Sequence, residues 1–557
     1  MPLCEREDDM KSKLLHTPAG VRDLYNEEYK AKLDIQEKLH QVFAEHGCLD
    51  IQTPTFEYFD VFSKQIGTTP SKDLFKFFDT EGNTVVLRPD FTPSIARCAA
   101  KYFSVEEEAV KLCYMGNTFI NSSNYQGRLK ESTQCGVEYI GEASANADAE
   151  MLAMAVDAVK AIGIKNFKVS VGHAGFFDHL LTEAKVDRKQ EKKLRKLLDN
   201  KNFLGVEAFA QQLEAEDDLK ALFTLLADFD ITEEDLANAK KWSANYPKIA
   251  MSILSLEELH QSLKEKGIED YISFDLGMIS NYEYYTGIIF AGYTYGLGEP
   301  IVKGGRYDTL LSNFGKDAPA IGFAFVVDQL MLALKNADME LPKEERYLTF
   351  ALGKGRLAKK TLKLFEQLGI TCEEIFDPAT RKLIFVNEEL KLRFFLSKGP
   401  DVPTYVEYGA ADIGIVGKDT ILEEGRDVYE VLDLGFGNCR MCICGPESAK
   451  ELLQHQEQIR VATKYPQIAK DYFYNKKHQT IEIIKLNGSI ELAPIVGLSD
   501  VICDIVETGA TLRENGLEVL EEVCPLSARM IVNQVSMKME NERITKLIRD
   551  LKRILEN

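Results

Sequence analysis

Apolar and polar positions alternate with two different periods along this chain, and the change of period divides it. Apolar residues recur at helical spacing from Asn26 to His46. Short apolar runs around Ile51 to Phe56 and Thr84 to Arg88 predict strands. From about residue 177 to 267, charged residues and leucines recur every three to four positions, as in Arg188 to Leu198 and Leu219 to Leu226, which predicts a helical insertion. Strand-like sequence resumes at Ile288 to Tyr295. Gly304 and Gly305 then lead to a closing helix around Val326 to Lys335. This order predicts an α+β module with an antiparallel sheet over residues 1–335. The polar, proline-bearing stretch 336–345 reads as a linker. Beyond it, over 346–557, strand and helix patterns alternate. Leu348 to Leu352, Asp412 to Val416 and Glu482 to Leu486 read as strands, and Leu357 to Leu368 as a helix. Such alternation predicts α/β layering.

With 557 residues the chain is too long for one core. A formal net charge of −21 argues against a nucleic-acid scaffold, so anionic ligands must be caught by local Lys and Arg groups. Eleven cysteines are scattered without a metal-binding pattern. Cys439, Cys442 and Cys444 alternate with Met441 and Ile443 and read as a buried strand rather than half a zinc site. Free thiols fit a reducing cytoplasm. The charged N-terminus lacks a signal-peptide core, and no run approaches the roughly 18 apolar residues of a membrane span.

The run Asp504-Ile-Val-Glu-Thr-Gly-Ala-Thr511 carries the most chemistry. It follows the apolar stretch Val496 to Val506, read as a strand running into a small hydroxyl-rich turn. Free backbone N–H groups there, with the Thr508 and Thr511 hydroxyls, suit a phosphate. Asp504 and Glu507 accept hydrogen bonds from sugar hydroxyls. An ordinary strand end is the alternative for such a turn taken alone. Lys354-Gly355-Arg356 sits between a strand and a helix start, where cations and a close backbone favour an anion. A plain turn with surface cations is its alternative; Arg460 and Lys464 are as open taken singly, and Lys398 more so. Glu491 either faces the same site or satisfies a buried backbone group.

In order, Ala351-Leu-Gly-Lys-Gly-Arg-Leu357, Asp401 to Gly409, Ala411 to Asp419, Arg460 to Pro466, Asn487 to Pro494 and the Asp504 run resemble the short form of ATP phosphoribosyltransferase. The resemblance implies a two-lobed, periplasmic-binding-protein-like α/β module whose second lobe spans about 444–524. It implies ATP and phosphoribosyl pyrophosphate as substrates, with Mg2+ carried by their phosphates and no dedicated metal site. It implies Lys354, Arg356, Lys398, Arg460, Lys464 and Glu491 in catalysis, and Asp504, Glu507, Thr508, Gly509, Ala510 and Thr511 around the ribose phosphate. Adenine N1 already holds a lone pair, so positioning and charge should govern the rate, with no nucleophile–base triad.

His16 to Asp23, Leu87 to Pro93, Gln126 to Glu131, Gln134 to Glu138, Tyr284 to Gly287 and Gly304 to Asp308 resemble the catalytic core of histidyl-tRNA synthetase. They resemble its non-charging relative, the regulatory subunit of ATP phosphoribosyltransferase, more closely. The implied fold is the class II synthetase-like antiparallel sheet. The departures matter most. Ile120, Ser280 and Gln329 stand where the synthetases have arginines for adenylate chemistry, and none of the three clamps phosphate bidentately. No anticodon-binding domain follows Leu330. The histidine pocket is retained in Asp90, Thr92, Arg128, Gln134, Glu138, Tyr284 and Tyr285, with Asp90 where a longer Glu is often seen. These residues suit an amino acid's ammonium, carboxylate and imidazole, or persist as inherited core hydrogen bonds. The expectation is a cytoplasmic homo-oligomeric fusion enzyme, with histidine as feedback effector and neither nucleic acid nor membrane as partner. The alternatives are a histidyl-tRNA synthetase with an appended domain, or a non-catalytic small-ligand sensor.

Overall fold

The computed structural model describes residues 15–62, 69–121, 129–199, 202–228, 231–279, 284–337, 346–376, 380–454 and 458–556. Arg128, Ser280 and residues 338–345 of the expected linker lie outside them. The chain forms two compact units, a front one of residues 1–199 and 205–340 and a back one of 341–557 together with 200–204.

The front unit is built on an eight-stranded sheet. Its strands are β1 (Leu49–Asp50), β5 (Val110–Phe119), β6 (Glu131–Ile140), β7 (Phe167–His173), β8 (Ile272–Phe274), β9 (Ile288–Thr294), β10 (Val302–Arg306) and β11 (Ala320–Val326). They lie in the order β1-β5-β6-β11-β10-β9-β7-β8. The centre is antiparallel as expected, but both edge pairs, β1 with β5 and β7 with β8, are parallel. The sheet is therefore mixed. A second sheet joins β2 (Phe56–Tyr58), β3 (Lys76–Phe78) and β4 (Thr84–Leu87).

The single strand expected over Ile51 to Phe56 is not there. Two short strands, β1 and β2, flank an irregular stretch and join different sheets. Pro54 cannot donate to a ladder. Instead the buried Arg88 guanidinium takes the Thr53 and Pro54 carbonyls at 2.9 and 3.2 Å. Gly304 and Gly305 lie within β10.

The helices Asn26–Glu45, Val327–Ala337 and a series from Ala174–Glu183 to Pro247–Glu265 form where the periodicity predicts them. Thr232 and Asp235 make a reciprocal capping box on helix Glu233–Trp242. The alanine-rich helix Ala145–Ala161 is buried along most of its length.

The back unit holds two sheets. The six-stranded one orders as β13-β14-β12-β15-β22-β16, with β12 (Leu348–Gly353), β13 (Ile384–Asn387), β14 (Leu392–Ser397), β15 (Ile413–Gly417), β16 (Tyr429–Asp433) and β22 (Ala528–Val532). The five-stranded one orders as β19-β18-β20-β17-β21, with β17 (Cys439–Gly445), β18 (Ile459–Thr463), β19 (Ile481–Lys485), β20 (Val501–Val506) and β21 (Glu518–Leu526). The chain changes sheet between Asp433 and Cys439 and returns at Ser527, outside the expected 444–524 on both sides.

In β17, successive side chains enter opposite cores. Met441 and Ile443 pack on one face and Cys442 and Cys444 on the other. The five-stranded sheet is thus covered on both faces, which explains an uninterrupted apolar run. The run Val496 to Val506 is not one strand. Gly497 adopts φ +73° and Val496 is 70% exposed, so extended structure begins only at Val501.

Candidate functional site

In each sheet of the back unit, three parallel strands end at the same edge. Gly353 of β12 is paired with Ser397 of β14, and Leu352 with Ile415 of β15. The chain therefore delivers Lys354, Lys398 and Asp419 just past those ends. In the second sheet Thr463 of β18 is paired with Cys503 of β20, so Lys464 and Glu507 leave on one side. Ligands of open α/β sheets gather at such carboxyl ends.

The two edges meet. Arg356 Nη2 stands 3.8 Å from Glu507 Oε2. Burial, and then the charge of Asp419 across the cleft, raise the Tyr465 hydroxyl. The Glu423 carboxylate accepts the backbone N–H groups of Gln467 and Ile468 at 3.0 and 3.1 Å, capping helix Pro466–Lys470 of the other lobe.

Charges converge here. Burial raises the Asp504 carboxyl above its ordinary range; its Ile505 N–H bond opposes this, Glu491 adds to it and Lys464 opposes it. Asp419 is likewise raised by burial, against the N–H of Thr420 and the charge of Lys464. Gly417 makes room for it, since a Cβ there would lie 2.2 Å from Asp419 Oδ1. Lys354, Arg356, Lys398, Lys464, Glu507, Thr508, Ala510 and Thr511 are exposed. Gly355 and Gly509 take φ +105° and +70°, conformations that suit only glycine comfortably. The Thr508 hydroxyl accepts the Ala510 N–H at 3.4 Å.

Arg460 does not join this group. It sits near the start of β18, about 13 Å along the strand from Lys464 at ~3.3 Å per residue. Its guanidinium binds both Asp500 oxygens, at 2.7 and 3.3 Å, and the Gly497 carbonyl at 3.0 Å. The expected catalytic cation is a clamp on the loop before β20.

The front unit holds a cavity of about 180 Å³. Asp90, Thr92, Gln134, Glu138, Tyr284 and Tyr285 all line it. Ile120 and Gln329, two of the positions expected to have lost arginine, are in the same wall. Glu138 anchors the site. It lies on β6 directly opposite Gly322 of β11, where a Cβ would stand 1.7 Å from its Oε2. The glycine lets the carboxyl lie across the sheet. The Thr92 and Tyr307 hydroxyls donate to it at 2.7 and 2.5 Å. Burial pushes its pKa up to about 8 despite those bonds, so it is mostly a neutral acid at pH 7.

Asp90 accepts the Phe91 N–H at 2.7 Å, turning the chain into helix Thr92–Tyr102. Among the described residues, the buried Gln134 Oε1 and Tyr114 hydroxyl have no hydrogen-bond partner. An unpaired buried acceptor in a cavity wall is what a ligand's N–H would satisfy.

The sequence reading passed over Tyr307 and Asp419, although both stand in the motifs it used. Tyr114 gave no local signal, because its nearness to Glu138 depends on strand pairing.

Comparison with known proteins matches the two units separately. The histidyl-tRNA synthetase family matches residues 20–330 and the ATP phosphoribosyltransferase family residues 398–553. An ATP phosphoribosyltransferase of Lachnoclostridium phytofermentans is 79% identical over 210 residues, 38% of this chain and 98% of that protein. An ATP phosphoribosyltransferase regulatory subunit of Acetivibrio thermocellus is 38% identical over 329 residues, 59% of this chain and 78% of its own length. The solved structure of an ATP phosphoribosyltransferase regulatory subunit/histidyl-tRNA synthetase from Bacillus halodurans aligns with a TM-score of 0.53 at 29% identity, covering 69% of this chain and 99% of that one.

Proposed function

The chain belongs to the histidyl-tRNA synthetase family through its front unit and to the ATP phosphoribosyltransferase family through its back unit, and we propose that it joins a histidine sensor to the catalyst that the sensor regulates. The back unit is an ATP phosphoribosyltransferase, the pentosyl transfer that opens histidine biosynthesis. Its two sheets correspond to periplasmic-binding-protein-like lobes. ATP and phosphoribosyl pyrophosphate meet between the two carboxyl edges.

The adenine N1 lone pair forms the bond to the anomeric carbon. The bond from that carbon to pyrophosphate breaks, and its electron pair leaves with the pyrophosphate. Asp504 and Glu507 hold ribose hydroxyls, and the Thr508–Thr511 turn holds the 5-phosphate. Lys354, Arg356, Lys398 and Lys464 neutralise the polyphosphates. Burial and then the like charge of Glu491 raise the Asp504 carboxyl, which fits a divalent cation arriving on the substrates' phosphates. Such Mg2+ supplies charge neutralisation.

The observation that carries the regulatory half is the wall of the front cavity. An amino-acid site with paired hydroxyls on Glu138 is kept, while Ile120 and Gln329 offer an adenylate no guanidinium. Histidine regulates to the extent that it binds one conformational state better than another. The test mixes the purified full chain with ATP, phosphoribosyl pyrophosphate and Mg2+ and follows product absorbance, then adds histidine. Product formation that histidine alters is expected. No product would overturn the catalytic reading. ATP–pyrophosphate exchange with histidine would favour a working synthetase instead.

A further inference from the structure

A second cluster of chemistry lies in the front unit, among residues that do not line the cavity. Helix Asn26–Glu45 presents His40, β1 presents Asp50, and β5 presents Cys113, the residue paired with Asp50 in the ladder. His40 Nε2 stands 2.8 Å from Asp50 Oδ1, and Cys113 Sγ stands 3.5 Å from the same oxygen. One ligand atom from each lies within 4.8 Å of the others.

Those spacings bracket the geometry of a tetrahedral site. Ligands about 2.0–2.3 Å from zinc stand about 3.3–3.8 Å from one another. The set is one nitrogen, one oxygen and one sulfur, which selects a borderline transition metal over calcium or magnesium. A thiolate and a carboxylate balance the two positive charges of Zn2+. Lys111, on the same strand as Cys113, is committed to Glu150 and the His46 carbonyl. Cys113 is buried and His40 half-buried, while Asp50 is exposed to solvent. Water would supply a fourth ligand.

We propose that His40, Asp50 and Cys113 form a zinc-class metal site that ties the first helix to the edge of the eight-stranded sheet.

The test uses the full chain, stripped by chelator and dialysed against Zn2+ or Co2+ alone. The cysteines of the back unit make the comparison with variants essential. Wild type is expected to retain about one more metal per chain than either His40→Ala or Cys113→Ser. Its Co2+ form should show a thiolate-to-cobalt charge-transfer band that Cys113→Ser lacks, and His40→Ala should weaken binding about tenfold or more. Zinc should raise the melting temperature of wild type but not of His40→Ala. Because His40 is not in the core, that variant should fold, and a metal-free melt matching metal-free wild type verifies it. Equal metal content and identical cobalt spectra in wild type and His40→Ala would overturn the site.

Discussion

The front cavity and the back cleft handle charge in opposite ways. In the cavity, the carboxyl of Glu138 is buried, hydrogen-bonded twice and held near neutrality by its surroundings. Gly322 on the neighbouring strand leaves it room, so the pocket stands ready-made. In the cleft, cations and hydroxyls stand exposed on the ends of strands from two sheets. A small zwitterion is recognised by enclosure, where each polar atom lost to water must be replaced. Two large polyanions instead need cations that remain hydrated until the ligands arrive. Selectivity belongs to the first arrangement and transition-state charge stabilisation to the second.

The strongest way to break this contrast is to remove a cleft carboxylate. Asp504→Ala should lower kcat/KM about 10²- to 10³-fold, the loss typical of a group that stabilises developing charge or orients the reacting sugar. Steady-state assays with phosphoribosyl pyrophosphate varied would measure it. A change below about threefold would remove Asp504 from the site.

Next in size is the cavity acid. Glu138→Ala should weaken histidine binding about ten- to a hundredfold, as calorimetry would read it, since a buried charge-assisted hydrogen bond is worth about 1.5–3 kcal/mol. Unchanged affinity would mean that the retained pocket residues are only inherited core bonds.

The two sites also differ in what pH does to them. Glu138 has a folded pKa of about 8 against an ordinary 4.5. Between those values the folded protein holds a proton that the unfolded chain has lost. Its contribution to stability is therefore full below about pH 4.5, falls as pH rises toward about 8, and changes little above. A bound ammonium favours the carboxylate, so histidine binding should expel up to about one proton near pH 7 and tighten as pH rises to about 8. Calorimetry in two buffers of different ionisation heat would count that proton, and Glu138→Gln should abolish it.

Motifs made most of the cavity legible before the fold was known, because the residues that line it are fixed by identity. What they did not reveal was pairing. That Gly322 faces Glu138, or that Tyr114 and Tyr307 converge on it, depends on strand register, which a linear pattern specifies only weakly. The cleft failed differently. The motif Arg460 to Pro466 correctly drew attention to a strand and the turn after it, but a motif does not say at which end of a strand the chemistry lies. The irregular stretch between β1 and β2 was misread for a related reason. Of residues 51–55 Thr53 alone is buried, and Pro54 and the reach of Arg88 replace the ladder that the apolar run implied.

The smallest expected effect sharpens this last point. Arg460 and Lys464 lie in one seven-residue motif, yet at opposite ends of β18. Lys464 faces Asp419 and Asp504, and Arg460 clamps Asp500 and Gly497. Arg460→Ala should therefore loosen the loop that precedes β20, lowering the melting temperature slightly while leaving kcat/KM within about threefold of wild type. Lys464→Ala should do the reverse, with little change in melting and a clear fall in kcat/KM. Arg460 holds the loop through two partners, so Asp500→Ala should reproduce the melting change, and the double variant should add little to either single one. If Arg460→Ala instead cost as much activity as Lys464→Ala at equal stability, the charge of Arg460 would be reaching substrate, and the carboxyl-edge description of the cleft would be wrong.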